Sequence, residues 1–200
     1  MIEVNMRKLS REAALSLIEA HKERFWRVCE EPWERWKQRP DPRLSRRTRA
    51  NLIYDWMLDT ARREFAAVPG VEFVEVESKG LVLMRLDEQI LVRFKKFDDA
   101  RRPRNYQTAH ARMYNQQMSL PEIPTATRVY CGYRLNRFQT DIRDVSISCM
   151  SGRRVEWNIE IEPAEQSVIR LPQTASGSDG EARRPRVRIR RTETQSDLAL

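Results

Sequence analysis

The sequence predicts an α+β protein: two N-terminal helices, a three-strand antiparallel meander, a further helix and further strands. Three observations lead there. Apolar residues recur near a 3.6 spacing over residues 11–30 and 45–67. Three short apolar runs between residues 71 and 97 are separated only by tight-turn residues. Alternation then returns between residues 128 and 161, after a proline-punctuated connection.

Ser10 is a good N-cap for the first helix, whose stripe is Ala14, Leu15, Ile18, Phe25, Val28 and Cys29. His21 lies beside that stripe and is expected to be packed. Pro32 and Pro40 bracket a segment in which Trp33 and Trp36 stand among Arg35, Lys37 and Arg39. Such a mixture suits base stacking, but exposing two tryptophans is costly, so the expectation is a short helical turn anchored on the domain. Ser45 caps the second helix, which ends at Pro69-Gly70. Its stripe is Leu52, Ile53, Trp56, Met57, Ala61 and Phe65.

The meander comprises 71–77, 81–86 and 89–97. The middle strand, LVLMRL, is almost wholly apolar and should be buried on both faces. The third places Ile90, Val92 and Phe94 on one face and Leu91, Arg93 and Lys95 on the other. A helix is expected over 105–118, with Ala109, Met113, Tyr106 and Met118 facing in. Strands follow at 128–135, 145–150 and 155–161, and 137–144 reads as a loop. Residues 1–44 form the N-terminal helix and Trp/Arg-rich connection, 45–162 the core domain, and 163–200 a disordered tail with six arginines between 183 and 191.

Charge is the other signal. The 200 residues carry 37 Lys and Arg against 29 Asp and Glu, a net charge of +8. The excess is concentrated. Residues 35–49 hold seven cations and one acid, and residues 93–104 hold six cations and two acids. Either these are two solvated surface segments, or both line one phosphate-facing surface. The candidate contacts are Arg93, Lys95, Lys96, Arg101, Arg102 and Arg104, with Arg43, Arg46, Arg47 and Arg49 as a second rim.

Other chemistries lack their residues. Cys29, Cys131 and Cys149 are an odd, widely spaced set, and with His21 and His110 they give no zinc-ligand spacing. No GxGxxG, GxxxxGK[ST] or GxSxG occurs. No metal or cofactor is expected. The N-terminus lacks an apolar signal-like stretch and no run is long enough to span a bilayer, so a cytoplasmic protein without membrane association is expected.

The α-β-β-β-α-β order resembles the restriction-endonuclease-like fold. That resemblance implies a metal site with an acid near the second strand and a (D/E)xK triplet on the third. Here the triplet reads Arg93-Phe94-Lys95, so only the lysine is matched. Asp87 and Glu88 in the preceding turn, and Glu64 on the second helix, are the acids at hand. The resemblance therefore implies either a degenerate, non-catalytic core or a divergent magnesium-dependent nuclease using Lys95.

A wider resemblance spans about 50–161. Asp55-Trp56-Met57, VRFKKFD, RPRNYQTAHA, LPEIPTATRVYCGYRL and RRVEWNIEI are similar to a family of uncharacterised bacterial and phage-associated proteins. Its members are often encoded beside a helix-turn-helix protein fused to an ImmA/IrrE-type metallopeptidase domain. The resemblance implies a phage-response or toxin–antitoxin-like module, with that neighbour as a possible protein partner. Three functions follow as expectations: a non-enzymatic nucleic-acid-associated or regulatory protein, a nuclease or toxin, and a protein-binding module.

Overall fold

A computed structural model describes residues 8–76, 80–104, 108–118, 120 and 123–163. The arginine-rich stretch at 183–191 lies outside the described residues.

Six strands form one mixed sheet in sequence order: β1 (Val71–Val76), β2 (Leu81–Leu86), β3 (Ile90–Lys96), β4 (Thr127–Leu135), β5 (Ile142–Ser151) and β6 (Arg154–Ile161). All neighbours are antiparallel except β3 and β4. A parallel pair needs a crossover connection, and this one carries the short helix α4 (Ala109–Asn115). Helices α1 (Arg11–Ile18), α2 (Lys22–Gln38) and α3 (Arg46–Phe65) pack on the other face.

Alternation sorts each strand between the two faces. Ile90, Val92 and Phe94 join the core under α1–α3, together with Met84, Leu86, Trp157, Ile159 and Ile161. Leu91 joins the second cluster under α4, with Leu81, Leu83, Tyr114 and Tyr130. The apolar middle strand feeds both clusters, as its composition predicts. The helices begin at their expected caps: the hydroxyls of Ser10 and Ser45 accept from the amides of Ala13 at 3.2 Å and Thr48 at 3.1 Å.

Four local expectations change. The first helix is two helices joined by a 3-10 turn at Glu19–His21. The second of them continues through Pro32 to Gln38, so the tryptophan segment is helical rather than a separate turn. An interior proline removes one hydrogen bond and crowds the preceding turn. Here Cys29, Trp33 and Trp36, all buried in the main core, hold the helix against the sheet on both sides of it. Around α4 the buried residues are Ala111, Tyr114 and Asn115, with Met113 partly buried against the same cluster, whereas Ala109 and Met118 are exposed. Tyr106 lies outside the described residues. Tyr114 buries its ring because its hydroxyl donates to the carbonyls of Leu91 at 3.3 Å and Val129 at 3.4 Å. Finally, β5 begins at Ile142, inside the segment expected to be loop.

β2 and β3 pair only from Met84↔Val92 to Leu86↔Ile90, whereas β3 pairs with β4 from Ile90 to Lys96. Residues 93–96 therefore have β4 on one side and no β2 partner on the other. The charged half of β3 lies at this open edge.

Candidate anion-binding cleft

A cleft of about 290 Å³ opens between the N-terminal half of α3 and the end of β3. Its apolar floor is Trp33, Ile53, Met57 and Tyr133. Six cations line it: Arg46, Arg47, Arg49, Lys95, Lys96 and Arg104. No Asp or Glu lines it among the described residues.

Three local features bring the cations together. Ser45 caps α3, so Arg46, Arg47 and Arg49 occupy its first turn. Cations there oppose the helix dipole, and α3 has no acid in that turn to offset them. After β3 the chain folds back on itself. Phe97 bridges Pro103, and the Arg104 amide donates to the Lys96 carbonyl at 3.0 Å, which returns Arg104 to the side of Lys96. Lys95 belongs by alternation to the α4 face, yet its Nζ lies 4.6 Å from the centroid of the Tyr54 ring on α3. The missing β2 partner opens the edge through which that side chain reaches the helix.

Close packing of like charge leaves its mark on the lysines. Burial pushes Lys95 down to about 8, helped by Arg93. Burial also pushes Lys96 down to about 8, and Arg104, Arg49 and Arg46 each add to the shift. In the folded protein both ammonium groups are penalised. Between pH 8 and the ordinary lysine value the unfolded chain binds more protons, so folding stability should rise with pH across that window. An anion in the cleft would relieve the same penalty.

The expected binding residues separate into two groups. Arg46, Arg47, Arg49, Lys95, Lys96 and Arg104 share the cleft. The other four are engaged elsewhere. Arg93 lies over the Tyr114 ring, 6.0 Å from its centroid, on the α4 face. Arg101 pairs with Glu160 at 2.6 Å and bonds Asn158 at 2.6 Å. Arg102 pairs with Asp98 at 2.8 Å, and Arg43 with Asp41 at 3.0 Å.

The candidate metal-holding acids are also elsewhere. Asp87 and Glu88 form the β2–β3 turn with φ of 46° and 57°. A Cβ on Gly70 would fall 2.2 Å from the Asp87 Oδ1, so that carboxylate sits against the β1 end of the sheet. Glu64 pairs with Arg27 at 3.5 Å near the C-terminus of α3. At 1.5 Å per helical residue it is about 22 Å along the axis from Arg49. No group of three His, Cys, Asp or Glu residues suited to a metal occurs among the described residues. Among them, too, no helix is long and apolar enough to cross a membrane.

The sequence reading did not include the β4–β5 loop. Gln139 lines the cleft and accepts from the Arg49 guanidinium at 3.3 Å. Trp33 donates its Nε1–H to the Thr140 carbonyl at 3.1 Å. Trp33→Phe should keep the ring packed and lose that bond. An expected loss of about 0.5–1.5 kcal/mol follows, measurable by denaturant unfolding. Full stability in that variant would show that the Trp33 bond does not hold the loop.

The chain matches no family model, no curated protein and no solved structure. Its class is defined by its own features: an α+β protein with a cationic cleft at an open strand edge, free of acids among the described residues.

Proposed function

We propose that the protein binds the phosphodiester backbone of nucleic acid in this cleft and acts without catalysis, as a regulatory or partner protein. The observation that carries the reading is the meeting of two basic segments, remote in sequence, in one cleft without a carboxylate. Six cations at close range repel one another, and Arg104, Arg49 and Arg46 add to the lowering that burial imposes on Lys96. A polyanion relieves the repulsion and releases its own counterions. The nuclease reading is weaker, because Asp87, Glu88 and Glu64 stand away from Lys95.

The test is anisotropy of labelled DNA and RNA at low and high salt, with and without magnesium. Salt-sensitive binding without cleavage supports the reading. Absent or salt-independent binding overturns it, and magnesium-dependent cleavage that requires Lys95 would replace it with the nuclease. The biological setting we propose is a bacterial phage-response or toxin–antitoxin-like module. A helix-turn-helix protein fused to an ImmA/IrrE-type domain is the proposed protein partner, and copurification tests it.

Binding should also depend on pH in a defined direction. Phosphodiesters do not titrate near neutrality, whereas Lys95 and Lys96 lose their protons near pH 8. Affinity at constant ionic strength should hold below pH 7 and fall as pH rises through about 8. The double variant Lys95→Arg, Lys96→Arg should flatten the curve, because guanidinium stays charged. A flat wild-type profile would place the lysines outside the contact.

A further inference from the structure

We infer that the nucleic acid taken by the cleft is single-stranded, with Phe138 as the platform on which a base stacks; the inference rests on the nucleic-acid reading of the cleft. Phe138 is 82% exposed, and the only other large hydrophobic residue exposed among those described is Met118 at 44%. A phenyl ring so exposed has its face open to stacking by a planar partner.

The loop that carries the ring is tied down. The Asn136 amide donates to the Asp141 carbonyl at 2.9 Å, and its side chain exchanges two bonds with Thr140, at 2.8 Å and 3.0 Å. Trp33 holds Thr140 from α2, and Lys37 pairs with Asp141 at 2.9 Å. Arg49 holds Gln139, which adopts a left-handed φ of 57°. The residues around Phe138 are thus fixed by side chains from α2 and α3, while its own ring faces solvent. Most of the ordering entropy that a binding loop loses on contact is already lost.

The surroundings of the ring select the occupant. Phe138 shares a recess with Trp36, Leu44, Asp41, Arg46, Arg49 and Gln139, and Arg46, Arg49 and Gln139 also line the cleft. Gln139, Lys96 and Arg104 also line a recess with Arg137, Arg143, Asp99 and Arg134, the last of which is paired with Asp144 at 2.5 Å, so Arg137 and Arg143 extend the cationic surface there. A cationic track therefore runs past an aromatic face. The recess beside the ring combines apolar residues, Trp36, Pro40, Pro42 and Leu44, with the guanidinium groups of Arg46 and Arg49, so it offers both a surface for a flat ring and charge for an anion. An occupant with both anionic links and flat faces fits. Single strands present their bases to aromatic side chains, whereas in a duplex the bases stack on one another and only the phosphates remain for the cations.

The experiment compares a fluorescein-labelled oligothymidine with a duplex of equal length, bound to the full chain at fixed salt. Phe138→Ala should weaken the single strand by roughly 5- to 150-fold and leave duplex affinity, salt slope and melting temperature unchanged. Phe138→Trp should retain single-strand binding. An alanine variant that binds the oligothymidine as wild type does, or that loses both ligands equally, would overturn the inference while leaving the backbone-binding reading intact. Binding of neither ligand by the wild-type protein would overturn both.

Discussion

Replacing Arg49, Lys96 and Arg104 together by alanine should halve the salt sensitivity of nucleic-acid binding. If all six cleft cations meet phosphates, the slope of log affinity against log salt is about −4 for a single strand and about −5 for a duplex. A rise from about 50 to about 200 mM salt would then weaken wild-type binding by on the order of 10²–10³-fold. With three cations left, the same step should weaken binding by only roughly 20- to 40-fold. The variant removes three cations that stand close together but also loses the Arg49–Gln139 bond, so its melting temperature is measured beside the slope. Arg101→Ala with Arg102→Ala is the matched control. Those guanidiniums are occupied by Glu160 and Asp98, so the slope should not move. Equal slopes in the triple variant and the wild type would remove the cleft as the binding surface.

The second large effect is expected at Gly132. It pairs with Lys95 across the parallel β3–β4 ladder. A Cβ there would lie 1.9 Å from the Lys95 carbonyl oxygen and 3.0 Å from its carbonyl carbon. Both are backbone atoms, so β3 itself must shift, and it must shift where Lys95 and Lys96 enter the cleft. Gly132→Ala should lower stability by about 1–3 kcal/mol. For a chain of this size that is a fall of roughly 2–12 °C in melting temperature. Binding should weaken as well, since the lysines are displaced with the strand. Gly152→Ala separates the two possible causes. Gly152 has a left-handed φ of 61° but nothing within 4 Å of its Cβ position, so that variant should lose stability without losing affinity. A Gly132→Ala protein that melts with wild type would show that the strands do not approach this closely.

Much of the fold was legible in the chain because its strands are amphipathic or apolar at period two. Ile90, Val92 and Phe94 share a face, as do Trp157, Ile159 and Ile161, and all six lie in the core under the helices. The tight turns at 87–88 and 152–153 fix which strands neighbour one another. Pro32 misled because local propensity weighs a missing hydrogen bond but not the burial of Trp33 and Trp36 on the same helix. Around α4, Met113 outranks Tyr114 in hydrophobicity, and only the neighbouring carbonyls of Leu91 and Val129 make a buried phenol affordable.

By itself, the sequence determined the α+β class, the order of elements and the presence of two basic segments. Those properties depend on short-range periodicity and composition, which neighbouring residues carry. Tertiary structure alone decided which charges converge. Arg104 returns to Lys96 through a backbone bond, Arg101 is drawn away by Glu160, and the first turn of α3 faces the open edge of β3. It also decided that Phe138 stays in water while the other described aromatic rings are buried or partly buried. Each of these outcomes is set by contacts between residues far apart in the chain, for which no local pattern exists.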